Sequence, residues 1–494
     1  MTFRTLCMSS ALALAAGTAW ADMNFNRIAA IATSENAPAA EESSAEIIDA
    51  NDAGTMLIYT DSPASVVGMI DITDATDPQP AGTIDVDGGE PTAVAVADDI
   101  AYVGVNTSAS FTDPSGFLKA IDMTTGEEIG RCDLGGQPDS VATNGTFVSV
   151  AIENERDEDL GDGRVGQMPA GFLAMVQIDG RTLDCDSLMQ VDLTGLADVA
   201  PDDPEPEFVD INDEGETVVT LQENNHIVVV SAEGEVVDHF SAGAVTLHGV
   251  DTREEGALRF DETVENVVRE PDAVKWIDDT HFATANEGDM DGGSRGWTIF
   301  SQSGDVVYES GTSFEHALVE IGHYPEERSG NKGVEPESIE VATFDGVPMV
   351  FVGSERGSVV GVYDVADPAN PVLTQLLPSG IGPEGYVSIP ERNLLVSANE
   401  VDDEGPRAHV MLFEYQDAEA SYPHLTSAGT DELIGWGAIS GMVAGDDGIV
   451  YAVNDSFYGM QPLIFVINTN HSPARIIDAI RVTRDGAPAQ TLDM

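Results

Sequence analysis

The chain has 494 residues, 42% of them hydrophobic, which is enough for a large packed interior. It contains 88 Asp and Glu against 20 Lys and Arg, a formal net charge of -68. Nucleic acids and anionic lipid surfaces bind clustered positive charge, so this balance excludes both as expected partners. Two explanations of the acidity stay open. Either a solvated acidic surface maintains solubility, or part of the charge coordinates divalent cations.

The N-terminus has the pattern of an export signal. Arg4 precedes the apolar stretch Leu6–Gly17, and Ala19-Trp20-Ala21 is a small-x-small cleavage site. We therefore predict a signal peptide over residues 1–21 and a periplasmic or secreted protein. No later run reaches the length of a transmembrane helix.

Two cysteines remain once the signal is removed. They are Cys132 and Cys185, and no Cys/His spacing around them resembles a zinc site. In an oxidising compartment they are candidates for one disulfide.

Short runs rich in Val, Ile, Ala and Tyr follow the signal. The run Arg27–Ala32 stands alone, and then Ala45–Asp49 pairs with Thr55–Tyr59 and Thr92–Val96 pairs with Ala101–Val105. A second hairpin follows each such pair, so each unit is predicted as a four-stranded antiparallel meander. Repetition of this unit predicts an all-β fold, a β-propeller.

A turn that contains proline and an acidic residue opens most units. Counting strand pairs gives seven blades over residues 22–416, in which Arg27–Ala32 completes the last blade and leaves no open sheet edge. A weaker copy of the turn is Ser440-Gly441. The proline turns are Glu90-Pro91, Gln137-Pro138-Asp139, Glu205-Pro206-Glu207, Glu270-Pro271-Asp272, Glu335-Pro336-Glu337 and Gly382-Pro383-Glu384.

One further blade-like unit follows the predicted ring. A polar linker is expected over residues 417–432, and residues 433–494 contain another four-strand pattern that begins at Ile439. A single blade buries its faces poorly. Two alternatives stay open, an eighth blade and the beginning of a truncated second domain, and the linker favours the second.

The repeat also predicts where acidic side chains gather. The loop that enters the inner strand of a blade and the loop that leaves its second strand lie at the same face, so their carboxylates should surround one mouth of the channel. Such a ring raises the pKa of its members unless a cation lies among them, and oxygen ligands favour Ca²⁺. Alternatively, these acids cap strand ends and turns. The candidate ligands are Glu153, Glu207, Glu223, Asp272, Glu287, Glu337, Glu355, Glu384 and Glu400.

Four of the scarce basic residues lie beside these motifs in the sequence. They are Arg269, Arg328, Lys332 and Arg356. Next to a bound metal they would form a phosphate-binding pocket, and without one they would form ion pairs with the acids. The sequence identifies no catalytic nucleophile.

Several motifs resemble those of a known family. Gln222-Glu223-Asn224-Asn225, Ala285-Asn286-Glu287-Gly288-Asp289, Gly353-Ser354-Glu355-Arg356 and Ala398-Asn399-Glu400-Val401 are similar to the choice-of-anchor I family of extracellular propellers. The tail, with Ala452-Val453-Asn454-Asp455-Ser456, resembles the start of a phytase-like esterase domain.

Two functions are therefore expected as alternatives. One is a Ca²⁺-dependent phosphoric ester hydrolase acting on a small phosphorylated molecule at the channel mouth. The other is a non-catalytic extracellular propeller that binds a ligand or serves as a scaffold.

Overall fold

A computed structural model describes residues 23–157, 159–161, 163–164, 166–402, 407–485 and 487–488. Seven antiparallel sheets of four strands are present in this part of the chain, one for each predicted blade. This confirms the all-β, seven-bladed propeller. The predicted signal peptide lies outside the described residues and stays a prediction.

The first four blades use consecutive strands. Their middle strands are buried on both sides, because each blade is covered by the next, and they therefore have continuous apolar runs such as Thr217–Leu221. The outer strand Gln79–Asp85 is mostly exposed and lacks such a run. The strands are β1 (Met23–Ala32), β2 (Ile48–Ala50), β3 (Met56–Asp61), β4 (Val66–Asp71), β5 (Gln79–Asp85), β6 (Glu90–Ala97), β7 (Ile100–Asn106), β8 (Gly116–Asp122), β9 (Glu127–Asp133), β10 (Pro138–Thr143), β11 (Phe147–Ile152), β12 (Phe172–Asp179), β13 (Thr182–Asp192), β14 (Pro206–Ile211), β15 (Thr217–Leu221), β16 (His226–Val230) and β17 (Val236–Ser241).

The last three blades are interrupted by two insertions. A hairpin lies between blades 4 and 5, and the helix α1 (Ser313–Glu320) follows blade 5. The strand pattern of the sequence predicted neither of them. The strands are β18 (Ala244–Val250) and β19 (Glu262–Val268) of the hairpin, then β20 (Val274–Asp278), β21 (His281–Ala285), β22 (Trp297–Ser301), β23 (Val306–Glu309), β24 (Pro336–Phe344), β25 (Val347–Ser354), β26 (Val359–Asp364), β27 (Val372–Pro378), β28 (Pro383–Ile389), β29 (Leu394–Asn399) and β30 (His409–Asp417).

The N-terminal strand closes the ring, as predicted. β1 pairs antiparallel with β30 and is the fourth strand of blade 7. Phe25 of β1 is 1% exposed and meets Phe344 of blade 6 edge to face, with ring centroids 5.0 Å apart. The backbone N–H of Phe25 also donates to Gln375 Oε1 at 2.9 Å. The first and last parts of the propeller are thus held together by strand pairing and by an aromatic core.

A covalent link joins the outer strands of blades 2 and 3. Cys132 of β9 and Cys185 of β13 form a disulfide, with 5.4 Å between their Cα atoms. They are the pair that remains after the predicted signal.

The C-terminal strands form a sheet of their own beside the ring. This sheet has five strands in the order β31-β35-β34-β33-β32, and β31 lies within the predicted linker and runs parallel to β35. Trp436 Nε1 donates to the carbonyl of Glu320 at 3.0 Å, which fixes the sheet to the insertion after blade 5. The domain boundaries at 416 and 433 stay predictions. The strands are β31 (Leu425–Thr426), β32 (Ile439–Ala444), β33 (Ile449–Asn454), β34 (Leu463–Asn468) and β35 (Ala474–Arg481), followed by the short pair β36 (Thr483–Arg484) and β37 (Ala487–Pro488).

Candidate metal centre at the channel mouth

The proline turns determine which acidic side chains face the channel. In blades 3, 4, 6 and 7 the pairing of the inner strand with its neighbour shifts register directly after the proline. Proline has no N–H to donate to the neighbouring strand. At the register shift, the residue after the proline therefore lies outside the ladder of backbone hydrogen bonds. That residue is acidic in each case and lines the central cavity of about 340 Å³. Together with Asp272 of blade 5, these residues are Asp139, Glu207, Glu337 and Glu384.

The acid that precedes the proline has a different role. Glu270 is 1% exposed, and its carboxylate accepts the backbone N–H groups of Asp289, Asp291 and Gly292. Glu335 is fully buried and accepts from Arg328 and Arg356. The first acid of each Glu-Pro-acid turn therefore organises loops, whereas the second faces the channel.

Acids at the ends of the second strands converge on the same mouth. One oxygen each from Glu153, Glu207 and Glu223 lie within 4.8 Å of one another, between blades 3 and 4. We call this group site A. A second group, site B, has the same spacing between blades 5 and 6 and consists of Asp272, Glu287 and Glu337.

A third group shares Glu287 with site B. It combines Glu287, Glu335 and Glu355, again with oxygens within 4.8 Å of one another. Lys332 Nζ lies 2.9 Å from Glu287 Oε1, and Arg356 Nη1 lies 2.7 Å from Glu355 Oε1. Side-chain cations therefore compensate this third group most directly. At the other two sites the effect is smaller: Arg156 lowers the pKa of Glu153 and Glu223 in site A, and Lys332 pairs with Glu287 of site B.

Arg269 does not join the other three predicted cations. Its guanidinium pairs with Glu309 at 2.7 Å and donates to the carbonyl of Ala242 at 2.6 Å. Glu309 ends β23, the outer strand of blade 5, and Arg269 is 5% exposed. Arg269 is thus committed to a structural ion pair away from the two sites, while Arg328, Lys332 and Arg356 lie at the third group.

Burial and mutual repulsion raise the pKa of the mouth carboxyls. Burial is the larger cause for Glu207 and Glu337, whose pKa values lie well above the usual range, and neighbouring carboxylates add to it. The same causes raise the pKa of Asp139 to about 7. Burial raises the pKa of Glu223 to about 8 and that of Glu355 to about 7, although Arg356 lowers the latter. The carboxylates of this ring are destabilised near neutral pH unless positive charge is added.

Three oxygens of the ring have no donor within the described part of the chain. They are Glu223 Oε2 in site A, Glu337 Oε2 in site B and Glu384 Oε2 of blade 7, and all three atoms are buried. Buried polar atoms are nearly always paired, so each is open to a ligand that brings positive charge. An all-oxygen set of carboxylates on separate loops has the chemistry that Ca²⁺ prefers.

Glu384 and Glu400 belong to the blade 7 side of the mouth. The pKa of both is raised, first by burial, and among the neighbouring carboxylates Glu46 of blade 1 has the largest effect on the pKa of Glu384. Neither joins a group of three close carboxylates among the described residues. They extend the ring, whereas three carboxylates converge at each of sites A and B.

A second tier of charge lies deeper in the channel. Lys275 Nζ is 3.4 Å from Asp210 Oδ1, and Asp49 and Glu340 face the same cavity. Burial lowers the pKa of Lys275, but these three carboxylates outweigh it and hold that pKa above its usual range. Asp210 Oδ2 also accepts the backbone N–H of Trp276 at 2.8 Å, which ties blade 4 to blade 5. In this tier the chain supplies its own cation.

Several of these residues were missed in the sequence. Asp139 follows Pro138 as Glu207 follows Pro206, so the same motif could have identified it. Glu46 precedes the first strand of blade 1, where the sequence has no proline turn. The lower tier consists mostly of residues three positions after the channel-facing acid of a turn, such as Asp210 after Glu207. The residues of the lower tier come from different blades, and they are brought together only when the ring closes.

Comparison with known proteins agrees with this fold. A model of the choice-of-anchor I domain matches residues 46–292 and 290–368. No curated protein sequence matches the chain significantly.

Solved structures with a similar fold include several propellers of distant sequence. The WD40 repeats of RRP9 align with a TM-score of 0.53 at 8% identity, covering 80% of this chain and 100% of that one. Virginiamycin B lyase from Staphylococcus aureus aligns with a TM-score of 0.50 at 10% identity, covering 80% and 100%. A chain of the mitotic checkpoint complex gives 0.50 at 10% identity, covering 84% and 100%. At such identities the likeness shows the fold alone.

Proposed function

The chain belongs to the choice-of-anchor I domain family, and from that premise we propose that it is an exported propeller that binds divalent cations, Ca²⁺ in particular, at its channel mouth. The observation that carries the proposal is the set of buried carboxylate oxygens without donors, with Glu223 Oε2 in site A and Glu337 Oε2 in site B. A cation at each site would satisfy these oxygens and relieve the repulsion that raises the pKa of their neighbours.

Sites A and B are the expected positions of two ions. Each offers three carboxylates from two adjacent blades, with oxygens within 4.8 Å of one another. Lys332 already pairs with Glu287 of site B. The remaining ligands would be water or the oxygens of a bound molecule, which is how an exposed Ca²⁺ site can recruit an anionic ligand.

Direct binding measurements test this proposal. The mature chain is stripped with chelator, and the stoichiometry of added Ca²⁺ is measured by calorimetry and by metal analysis. We expect two ions per chain, with one lost in Glu207→Gln (site A) and one in Glu337→Gln (site B). The matched control is Glu127→Gln, an exposed acid on the outer strand β9.

Thermal unfolding gives an independent readout. A ligand that binds only the native state stabilises it by about 2.7 kcal/mol at a hundred times its Kd, so saturating Ca²⁺ should raise the Tm. Absence of both binding heat and a Tm shift would refute the metal sites.

Hydrolysis of a phosphoric ester is the second candidate. Arg328, Lys332 and Arg356 gather at the third carboxylate group, and Arg and Lys are the side chains that hold phosphate oxygens. A cation at site B would polarise a phosphoryl oxygen placed there. The tail's resemblance to phytase-like esterases rests on its motifs alone, and Arg269 is omitted because it pairs with Glu309.

A chromogenic phosphomonoester separates the two candidates. Turnover that requires Ca²⁺ and falls in Arg356→Gln, but not in Arg181→Gln, would support hydrolysis. Arg181 is an exposed arginine paired with Asp122 on the outside of the ring. Absence of turnover with both sites loaded would leave the non-catalytic binding propeller.

Export is supported by the disulfide between Cys132 and Cys185 and by the predicted signal over residues 1–21. None of the helices in the described residues has the length and hydropathy of a membrane-spanning segment. A thiol-alkylation assay on protein isolated without reductant tests the proposed compartment. Two free thiols in the mature chain would contradict it.

A further inference from the structure

The outer face of the C-terminal sheet is unusually apolar for this chain. Of the nineteen large hydrophobic side chains that are exposed among the described residues, nine lie between positions 442 and 482. On β32, Val443 is 64% exposed and shares the outer face with Tyr451, whereas Met442 is 70% exposed, pairs with Ala452 and lies at the open edge of the inner face. Contiguous apolar patches of this kind mark interaction surfaces.

The other face of the same sheet is already covered. Ala452, Phe465, Ile467 and Ile476 are buried together in its inner core. Because side chains alternate along a strand, Tyr451 and Val453 on β33 point to the opposite face, which has no protein layer over it in the described chain. The exposed face is therefore free for a partner.

The edge strand β32 is equally open. It ends the sheet order and has no neighbour beyond it among the described strands. Residues 433–445 contain no charged side chain, and the one register shift of β32 lies at its start, between Ile439 and Gly441. Exposed edges are usually protected by charge, proline or bulges, and Gly441–Ala444 has none of these.

We propose that this edge and face form a self-association surface, on which β32 pairs antiparallel with β32 of a second copy of the chain. The proposal is independent of the metal sites. Pairing of Met442–Ala444 about a two-fold axis at Val443 sets Val443 opposite Val443 of the second copy and Met442 opposite Ala444, and it joins two sheets into one. Such an isologous contact is self-complementary and closed.

The charge distribution favours a second copy as the occupant. A chain with a net charge of -68 repels its own copies over most of its surface. In the two-fold pairing, however, Asp446 lies opposite Ser440, and Asp447 lies opposite Ile439. The acidic turn that follows β32 therefore never faces itself. This uncharged segment is where two acidic chains can approach without opposing like charges.

Sedimentation velocity of the mature chain over a range of concentrations tests the proposal. We expect a monomer–dimer equilibrium that tightens as salt is raised from about 0.05 to 0.5 M, because salt screens the net repulsion between copies. Met442→Lys and Val443→Lys each place like charges at the centre of the pair and should weaken dimerisation by at least about tenfold.

The control is Val372→Lys, a substitution of an equally exposed valine (59%) on the outer strand β27 of blade 6. It should leave the dimer unchanged. Hydrogen exchange gives a second readout, since the amides of Gly441–Ala444 that point away from β33 should lose protection on dilution while the propeller amides do not. A chain that stays monomeric at all concentrations and salts, or a dimer that both β32 variants leave intact, would overturn the proposal.

Discussion

Calcium affinity at site A should depend steeply on pH. The carboxyls must lose their protons before they can coordinate a cation, and burial raises the pKa of Glu223 to about 8. A group with this pKa is nearly fully protonated at pH 6 and half protonated at pH 8. Its deprotonation alone therefore makes binding about 50-fold tighter at pH 8 than at pH 6. Glu153 and Glu207 have pKa values raised in the same direction and would increase this ratio.

Calorimetry at pH 7 can count the protons directly. The heat of Ca²⁺ binding is measured in two buffers with different ionisation enthalpies, and its difference gives the protons released. We expect at least about one proton per ion at site A, and a smaller number in Glu223→Gln, which keeps the shape but has no proton to lose. An affinity that is flat between pH 6 and 8, together with no dependence of the heat on buffer, would refute the protonated ring.

Three further predictions concern stability. Without Ca²⁺ the urea midpoint of unfolding should be lower at pH 8 than at pH 6. Carboxyls such as Glu337 have a raised pKa in the folded state, so the folded chain binds protons that it loses as the pH rises, and its stability falls. A higher midpoint at pH 8 would contradict this. Lys275→Met leaves three partly buried carboxylates without their cation and should lower the free energy of unfolding by up to about 3 kcal/mol. A loss under about 1 kcal/mol would show that the lower tier does not depend on this cation. Cys185→Ser opens a loop with a sequence separation of 53 and should cost up to about 4 kcal/mol in urea unfolding, whereas an unchanged midpoint would show that the link contributes nothing.

Strand periodicity predicted most of the propeller, because blades bury their middle strands on both faces and so need apolar runs. The same argument identified the unpaired run Arg27–Ala32 as the closing strand. It failed for the hairpin β18–β19, whose residues are mostly exposed or half-buried and have no clear alternation. It also failed for α1, which has only eight residues and is too short to produce a helical period.

The site was predicted in part for a related reason. A repeated motif carries equivalent residues to equivalent positions, so Glu207 and Glu337 could be assigned to the mouth from sequence. Individual partners do not repeat. Arg269 pairs with Glu309, 40 positions away, and no local pattern announces that contact. The sequence therefore predicted which carboxylates lie at the mouth, whereas the arginine or lysine that pairs with each of them could be identified only in the folded chain.

The two tiers of the channel give the strongest argument for an exchangeable ion. In the lower tier, Asp49, Asp210 and Glu340 share the ammonium of Lys275, a cation that cannot leave. The upper tier has more carboxylates than cations. Lys332 pairs with Glu287 of site B, and Arg156 lowers the pKa of Glu153 and Glu223 in site A, yet the pKa values of Glu223, Glu207 and Glu337 stay raised. Proline turns and register shifts in several blades turn these acids toward the channel, where their carboxylates repel one another. Because the chain neutralises its acids in the lower tier but only in part at the mouth, the cation that we propose from solvent would supply the positive charge that is missing there.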